Sequence, residues 1–168
     1  IHFIVAKVKD RAHMILTKHL RYDKRAIDGF VVALSEVCQN VVEHSRNKGF
    51  VGIQKYYFQG ISKNVVKVAV MDMGVGFKGS LAERFPLLNH LGAIEMALFH
   101  GASRYADEGR GHGLAAVNRF INEWKGKLSV RSGTAKVSVV PEWSWGRAKE
   151  SGLTEFWGSQ INMMLPEM

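Results

Sequence analysis

The stretch DKRAIDGFVVALSEVCQNVVEHSRN, residues 23–47, has the clearest periodicity in the chain. Ile27, Phe30, Val31, Leu34, Val37, Cys38, Val41 and Val42 recur at steps of three and four, the spacing of one apolar helix face. Asp23 precedes them as an N-cap, and Asn47 and Gly49 mark the end. Glu36 and Asn40 stand one turn apart on the side turned away from the valines. Any surface helix carries polar residues there, so on their own they indicate only solvent. His44, a further turn on, reads first as a surface histidine near a helix end.

Toward the N-terminus, Ile1, Phe3 and Val5 alternate as an edge strand, and DRAHMILTKHL (residues 10–20) has the pattern of a short helix. Toward the C-terminus, residues 50–58 and 65–71 are rich in β-branched and aromatic side chains. Gln59, Gly60, Ser62, Lys63 and Asn64 supply a turn between them, which predicts a hairpin. A long polar connection punctuated by glycine follows Gly76. Within it LGAIEMALFHG (residues 91–101) has helical spacing and its flanks do not, so a cover over the core is expected there and not a part of it.

LAAVNRFINEW (residues 114–124) resumes the helical pattern, and residues 127–131, 135–140 and 160–165 alternate as strands. No repeat, low-complexity tract or linker interrupts the chain, so residues 1–168 are expected to form a single domain. The fold class is α/β (α+β): a two-layer sandwich with strands in one layer and three or four helices in the other. Residues 141–158 are the least readable. Trp143, Trp145 and Trp157 within this stretch fit turn-packing aromatics better than a partner-binding patch.

Composition narrows the function classes. The chain is 46% apolar and 23% charged, ordinary for a globular protein with a full core. No apolar run approaches the ~20 residues that cross a bilayer, and no signal-peptide pattern is present, so a cytoplasmic protein without membrane contact is expected. The chain opens at Ile1, which leaves the missing signal little weight. A net charge of +8 favours an anionic partner, for which a nucleotide, an acidic protein and a nucleic acid qualify. Nucleic acid ranks last, because no basic run with interleaved aromatics occurs. Cys38 sits among valines as an inert buried thiol, and the seven histidines have no zinc-site spacing.

Two glycine motifs carry the remaining chemistry. In VMDMGVGF (residues 70–77), Asp72 ends a buried-looking strand and Gly74 and Gly76 follow. A strand-end carboxylate can accept a hydrogen bond from the exocyclic amine of adenine, and the glycines let the backbone approach the flat base. Gly74, Gly76 and Gly79 also satisfy GxGxxG, but a dinucleotide fold needs a helix directly after it and a second parallel strand with an acidic end, and neither is legible. In GRGHGL (residues 109–114), Gly109, Gly111 and Gly113 lead into a helix, where exposed N–H groups and the helix start favour a polyphosphate. Arg110 and Arg104 can add charge there. No GxxxxGK[ST] occurs, so a P-loop is excluded.

Glu36 with Asn40, Asp72 with its glycines, and the 109–113 glycines occur in the order of the N, G1 and G2 boxes. The chain thus resembles the GHKL superfamily, histidine kinase-like ATPase domains of the Bergerat fold, and looks closest to small bacterial anti-sigma serine kinases. AIEMALFHGASR (residues 93–104) resembles their lid helix and turn, and EFWGSQINMMLP (residues 155–166) their closing strand. The resemblance implies a mixed, mostly antiparallel sheet backed by helices, with residues 77–108 as the ATP lid.

It further implies that Glu36 is the general base and Asn40 a Mg²⁺ ligand. Asn40, Asp72, Gly74, Gly76, Gly109, Arg110, Gly111, His112, Gly113 and Leu114 are implied to bind ATP, with His44, Ser103 and Arg104 at the margin. The implied cofactors are ATP and Mg²⁺, and the implied partner is a regulatory protein of the anti-anti-sigma or sigma kind, with a homodimer as a further option. Two functions stay open: γ-phosphate transfer to a partner serine or to water, and a non-catalytic protein-binding module gated by ATP. Only a short segment precedes the long helix, too little for a two-helix domain bearing a phospho-accepting histidine, so this chain alone is not expected to be an autophosphorylating histidine kinase.

Overall fold

The computed structural model describes residues 2–45, 49–102 and 112–168. In chain order the elements are α1 (His2–Leu20), α2 (Lys24–Ser45), β1 (Gly49–Phe58), β2 (Lys63–Asp72), α3 (Gly76–Leu81), α4 (His90–Phe99), α5 (Gly113–Glu123), β3 (Lys127–Gly133), β4 (Ala135–Val139), β5 (Lys149–Glu150) and β6 (Phe156–Pro166). The strands form one six-stranded sheet in the order β1-β2-β6-β3-β4-β5. Every ladder is antiparallel, so the mixed character expected of the sheet is absent among the described residues.

One face of this sheet meets the helices. Val66, Val68 and Val70 of β2, Ile161, Met163 and Leu165 of β6, and Leu128 and Val130 of β3 are buried together with Leu16, Leu20, Phe30, Leu34, Ile94 and Ile121. Each such side chain withdrawn from water contributes roughly 1.5–3 kcal/mol before entropy is counted. An aromatic group closes the helical layer: Tyr22 stacks on Trp124 at 4.3 Å, and Phe30 meets Phe120 edge-on at 5.9 Å.

The long helix forms where its periodicity predicts. Asp23 caps it, its carboxylate accepting the N–H of Arg25 at 2.6 Å. The hairpin also forms, with a 3-10 turn at Gln59–Ile61, so Lys63 and Asn64 belong to β2 and not to the turn.

Three expectations are corrected. No strand opens the chain: α1 runs from His2, and Val5, Ala12, Leu16 and Leu20 are buried at helical spacing, which outweighs the short alternation at the start. The segment after Gly76 is helical too, as α3. Most consequential, α4 is part of the core and not a cover over it, because Ala93, Ile94, Ala97 and Leu98 are all buried there. Asn89 caps α4 by accepting the N–H of Gly92 at 2.8 Å, and Lys149 pairs with Glu95 to tie α4 to β5.

The tryptophans divide. Trp143 packs edge-on to Phe58 and donates its indole N–H to the Lys125 carbonyl at 2.7 Å, whereas Trp145 and Trp157 are exposed. The last residues fasten the corner between α1 and α2. Tyr22 donates to the Pro166 carbonyl at 3.0 Å, the Met168 N–H donates to the Leu20 carbonyl at 3.0 Å, and Arg21 pairs with Glu167 at 2.8 Å.

Candidate functional site

Glu36 and Asn40 are both half-buried on α2, one turn apart, on the flank that meets α5. Gly113, the first residue of α5, is buried against this flank. A β-carbon there would lie 2.7 Å from Cβ of Glu36 and 3.1 Å from both the Ala33 carbonyl oxygen and Glu36 Oε2. Glycine therefore permits the approach, and the Glu36 carboxylate lies at a helix start whose first-turn N–H groups have no partner within the helix. Leu114 is buried beside it, and His112 precedes α5 as its exposed N-cap residue.

Asp72 ends β2 on the face that carries Val66, Val68 and Val70, so it points into the helical layer and is 6% exposed. Its Oδ1 accepts the Gly74 N–H at 2.7 Å, and its Oδ2 accepts the hydroxyl of Ser159, its neighbour across the β2–β6 ladder. A carboxylate has about four acceptor sites, so two stay open after these bonds.

The turn after Asp72 is held from below. Gly76 adopts φ +66° over the Ser132 hydroxyl and the Gly158 carbonyl, where a side chain would collide. Gly158 in turn has φ +96°, and a β-carbon there would collide with the Asp72 carbonyl. Ser132, 2% exposed, donates to the Gly158 carbonyl at 2.7 Å and accepts the Phe77 N–H at 3.2 Å.

A cleft of about 490 Å³ opens beside this turn, lined in part by Met73, Gly74, Gly76, Lys78, His90 and Trp157. It shares two glycines with the sequence-derived set, but none of Glu36, Asn40, Asp72 or Gly113 lines it.

Gly109, Arg110, Gly111, Ser103 and Arg104 lie outside the described residues, and so does the side chain of His44. The chain on either side of residues 103–111 nevertheless comes together. A β-carbon on Gly101 would lie 3.0 Å from Nδ1 of His112, so the end of the α4 segment and the start of α5 are adjacent. Among the described residues no cluster of three His, Cys, Asp or Glu is arranged to hold a metal ion, and no helix is long and apolar enough to cross a membrane.

Sequence reasoning missed Ser132, Gly158 and Ser159. The visible signal for Gly158 and Ser159 is a glycine inside the closing strand, which marks close backbone approach, and Ser132 in β3 carried no such signal.

No curated protein matches the chain. The family described as histidine kinase-, DNA gyrase B- and HSP90-like ATPase matches it over residues 26–157, a span that begins in α2 and includes Glu36, Asn40, Asp72 and Gly113. With most of its length inside that match, the chain belongs to the histidine kinase-, DNA gyrase B- and HSP90-like ATPase family, whose domains bind ATP.

Proposed function

We propose that the chain binds Mg-ATP where α2, the end of β2 and the start of α5 meet, and that Glu36 activates a hydroxyl for attack on the γ-phosphate. The observation that carries this reading is the contact of Glu36 with Gly113, which joins a carboxylate to a helix start suited to phosphate. In this reading Asp72 accepts the exocyclic amine of adenine through its open lone pairs, while Gly74 and Gly76 let the backbone approach the base. The N–H groups at the start of α5, with Gly109, Arg110, Gly111, His112, Gly113 and Leu114, surround the phosphates. His44, Ser103 and Arg104 lie at the margin.

The donor set fits the cofactor. Mg²⁺ keeps several waters and phosphate oxygens and needs only one or two protein ligands, and the Asn40 amide oxygen supplies one. Bound there, the ion would neutralise charge on the phosphates. Glu36 takes the proton of the attacking hydroxyl as its oxygen bonds to the γ-phosphorus, and the bond to the bridging oxygen breaks to release ADP. The acceptor is a serine of a small regulatory partner, of the anti-anti-sigma or sigma-like kind, or water, and the setting is the cytoplasm.

Two variants test this. Asp72→Asn should lose the preference for ATP over GTP in a magnesium-dependent titration, and unchanged selectivity would remove Asp72 from the base site. Glu36→Ala should keep its ATP affinity while phosphate transfer falls about 10²- to 10⁴-fold. If the variant instead left all biological output intact, the chain would be a non-catalytic module in which ATP gates a protein contact.

A further inference from the structure

The cleft beside the Asp72 turn has the volume of a small-molecule site, about 490 Å³, yet none of Glu36, Asn40, Asp72 or Gly113 lines it. Met73, Val75 and Trp157 all line it and are all exposed, Trp157 by 73%. Singly, each would be an ordinary surface residue; three around one hollow mark a place that something apolar can fill. The walls are already set. The Ser132 hydroxyl holds Gly158 and Phe77, and a β-carbon on Gly133 would collide with the His90 ring, so that ring rests on the backbone between β3 and β4. A ligand therefore finds the hollow formed in advance.

Three polar side chains complete the lining. His90 accepts the Thr134 N–H at Nδ1, 3.2 Å away, so its ring proton sits on Nε2, which is a donor. Lys78 and Glu155 carry opposite charges, and neither is in an ion pair among the described residues. A polyphosphate would meet Glu155 as a like charge, and a plain cation would meet Lys78 in the same way. A molecule with both signs satisfies both.

We infer that the cleft binds a flat aromatic zwitterion of the size of an aromatic amino acid. Its ring lies against Trp157, Met73 and Val75, its carboxylate turns to Lys78 and the His90 Nε2–H, and its ammonium turns to Glu155. The apolar side chains lose water on binding and supply most of the affinity. Lys78 and Glu155 are both exposed, so they select the ligand more than they hold it. This site does not depend on the nucleotide reading.

Calorimetric titration of the 168-residue chain with L-tryptophan, indole-3-propionate and tryptamine tests it, the last two lacking the ammonium and the carboxylate respectively. L-tryptophan should bind at about millimolar concentration or below, and each analogue about three- to fivefold more weakly. Lys78→Ala should weaken L-tryptophan and indole-3-propionate but not tryptamine. Glu155→Gln should weaken L-tryptophan and tryptamine but not indole-3-propionate. Trp157→Ala should weaken all three by about tenfold. The three positions are exposed, so melting temperatures should stay unchanged, and saturating Mg-ATP should not displace L-tryptophan. Absence of L-tryptophan binding, equal affinity for the three compounds, a loss that does not follow the charge removed, or competition by Mg-ATP would each overturn the proposal.

Discussion

The Ser132 hydroxyl donates to the Gly158 carbonyl at 2.7 Å while accepting the Phe77 N–H at 3.2 Å, so a single buried side chain ties the turn after Asp72 to β6. Gly158 precedes Ser159, the partner of Asp72, and the same hydroxyl therefore fixes both ends of the carboxylate's surroundings. Ser132→Ala would leave a buried carbonyl and an N–H without this partner. We expect a loss of roughly 1–3 kcal/mol in urea unfolding, together with weaker ATP binding. Full nucleotide affinity at reduced stability would show that the turn keeps its shape without the hydroxyl.

Gly113 and Gly52 make a matched pair for testing the α2–α5 approach. A β-carbon at Gly113 would press on Glu36 and Ala33, whereas one at Gly52 meets nothing within 4 Å. Gly113→Ala should cost about 1–3 kcal/mol and lower ATP affinity by spreading the two helices. Gly52→Ala should change neither thermal unfolding nor titration curves appreciably, since it lies in an open stretch of strand.

Acid should loosen the C-terminal end in a defined window. The backbone N–H of Asn64 and then its side-chain amide hold the Glu167 carboxyl below its usual 4.5. Folding lowers this pKa, so on acidification the unfolded chain takes up the proton first. The contribution is complete above pH 4.5 and disappears as pH falls through the lowered native value. Denaturant midpoints measured across this range should fall less steeply in Glu167→Gln than in the wild type.

Burial pushes the Cys38 thiol up to about 11, so thiolate is scarce at neutral pH. A thiol reagent should react with the folded protein far more slowly than with the protein in urea. Rapid modification without denaturant would contradict the packing of α2 against the sheet.

Legibility in the sequence followed the range of the interactions. α2 was readable because its signals, a cap and a spacing of three and four, lie within a few residues of one another. The contact of Glu36 with Gly113 was foreshadowed only by residue types in motif order. Ser159 was not legible as the partner of Asp72: the two are 87 residues apart and become neighbours only when β6 inserts between β2 and β3. α4 was misjudged for a related reason. Its apolar residues recur at helical spacing, yet whether a helix covers a core or belongs to it depends on elements far along the chain. The opening residues failed locally, since three alternating apolar positions are too few to set against the longer period that continues to Leu20.

The bonds of Pro166 and Met168 to Tyr22 and Leu20 bear on the order of events during synthesis. α1 and α2 leave the ribosome before β6, so the groups that seal their junction arrive only with that strand. Until then Tyr22 has no Pro166 carbonyl to meet, and the β2 edge that β6 will occupy is bare. A nascent chain would carry this unfinished hairpin of helices until β6 is made, which makes that strand the step that commits the domain.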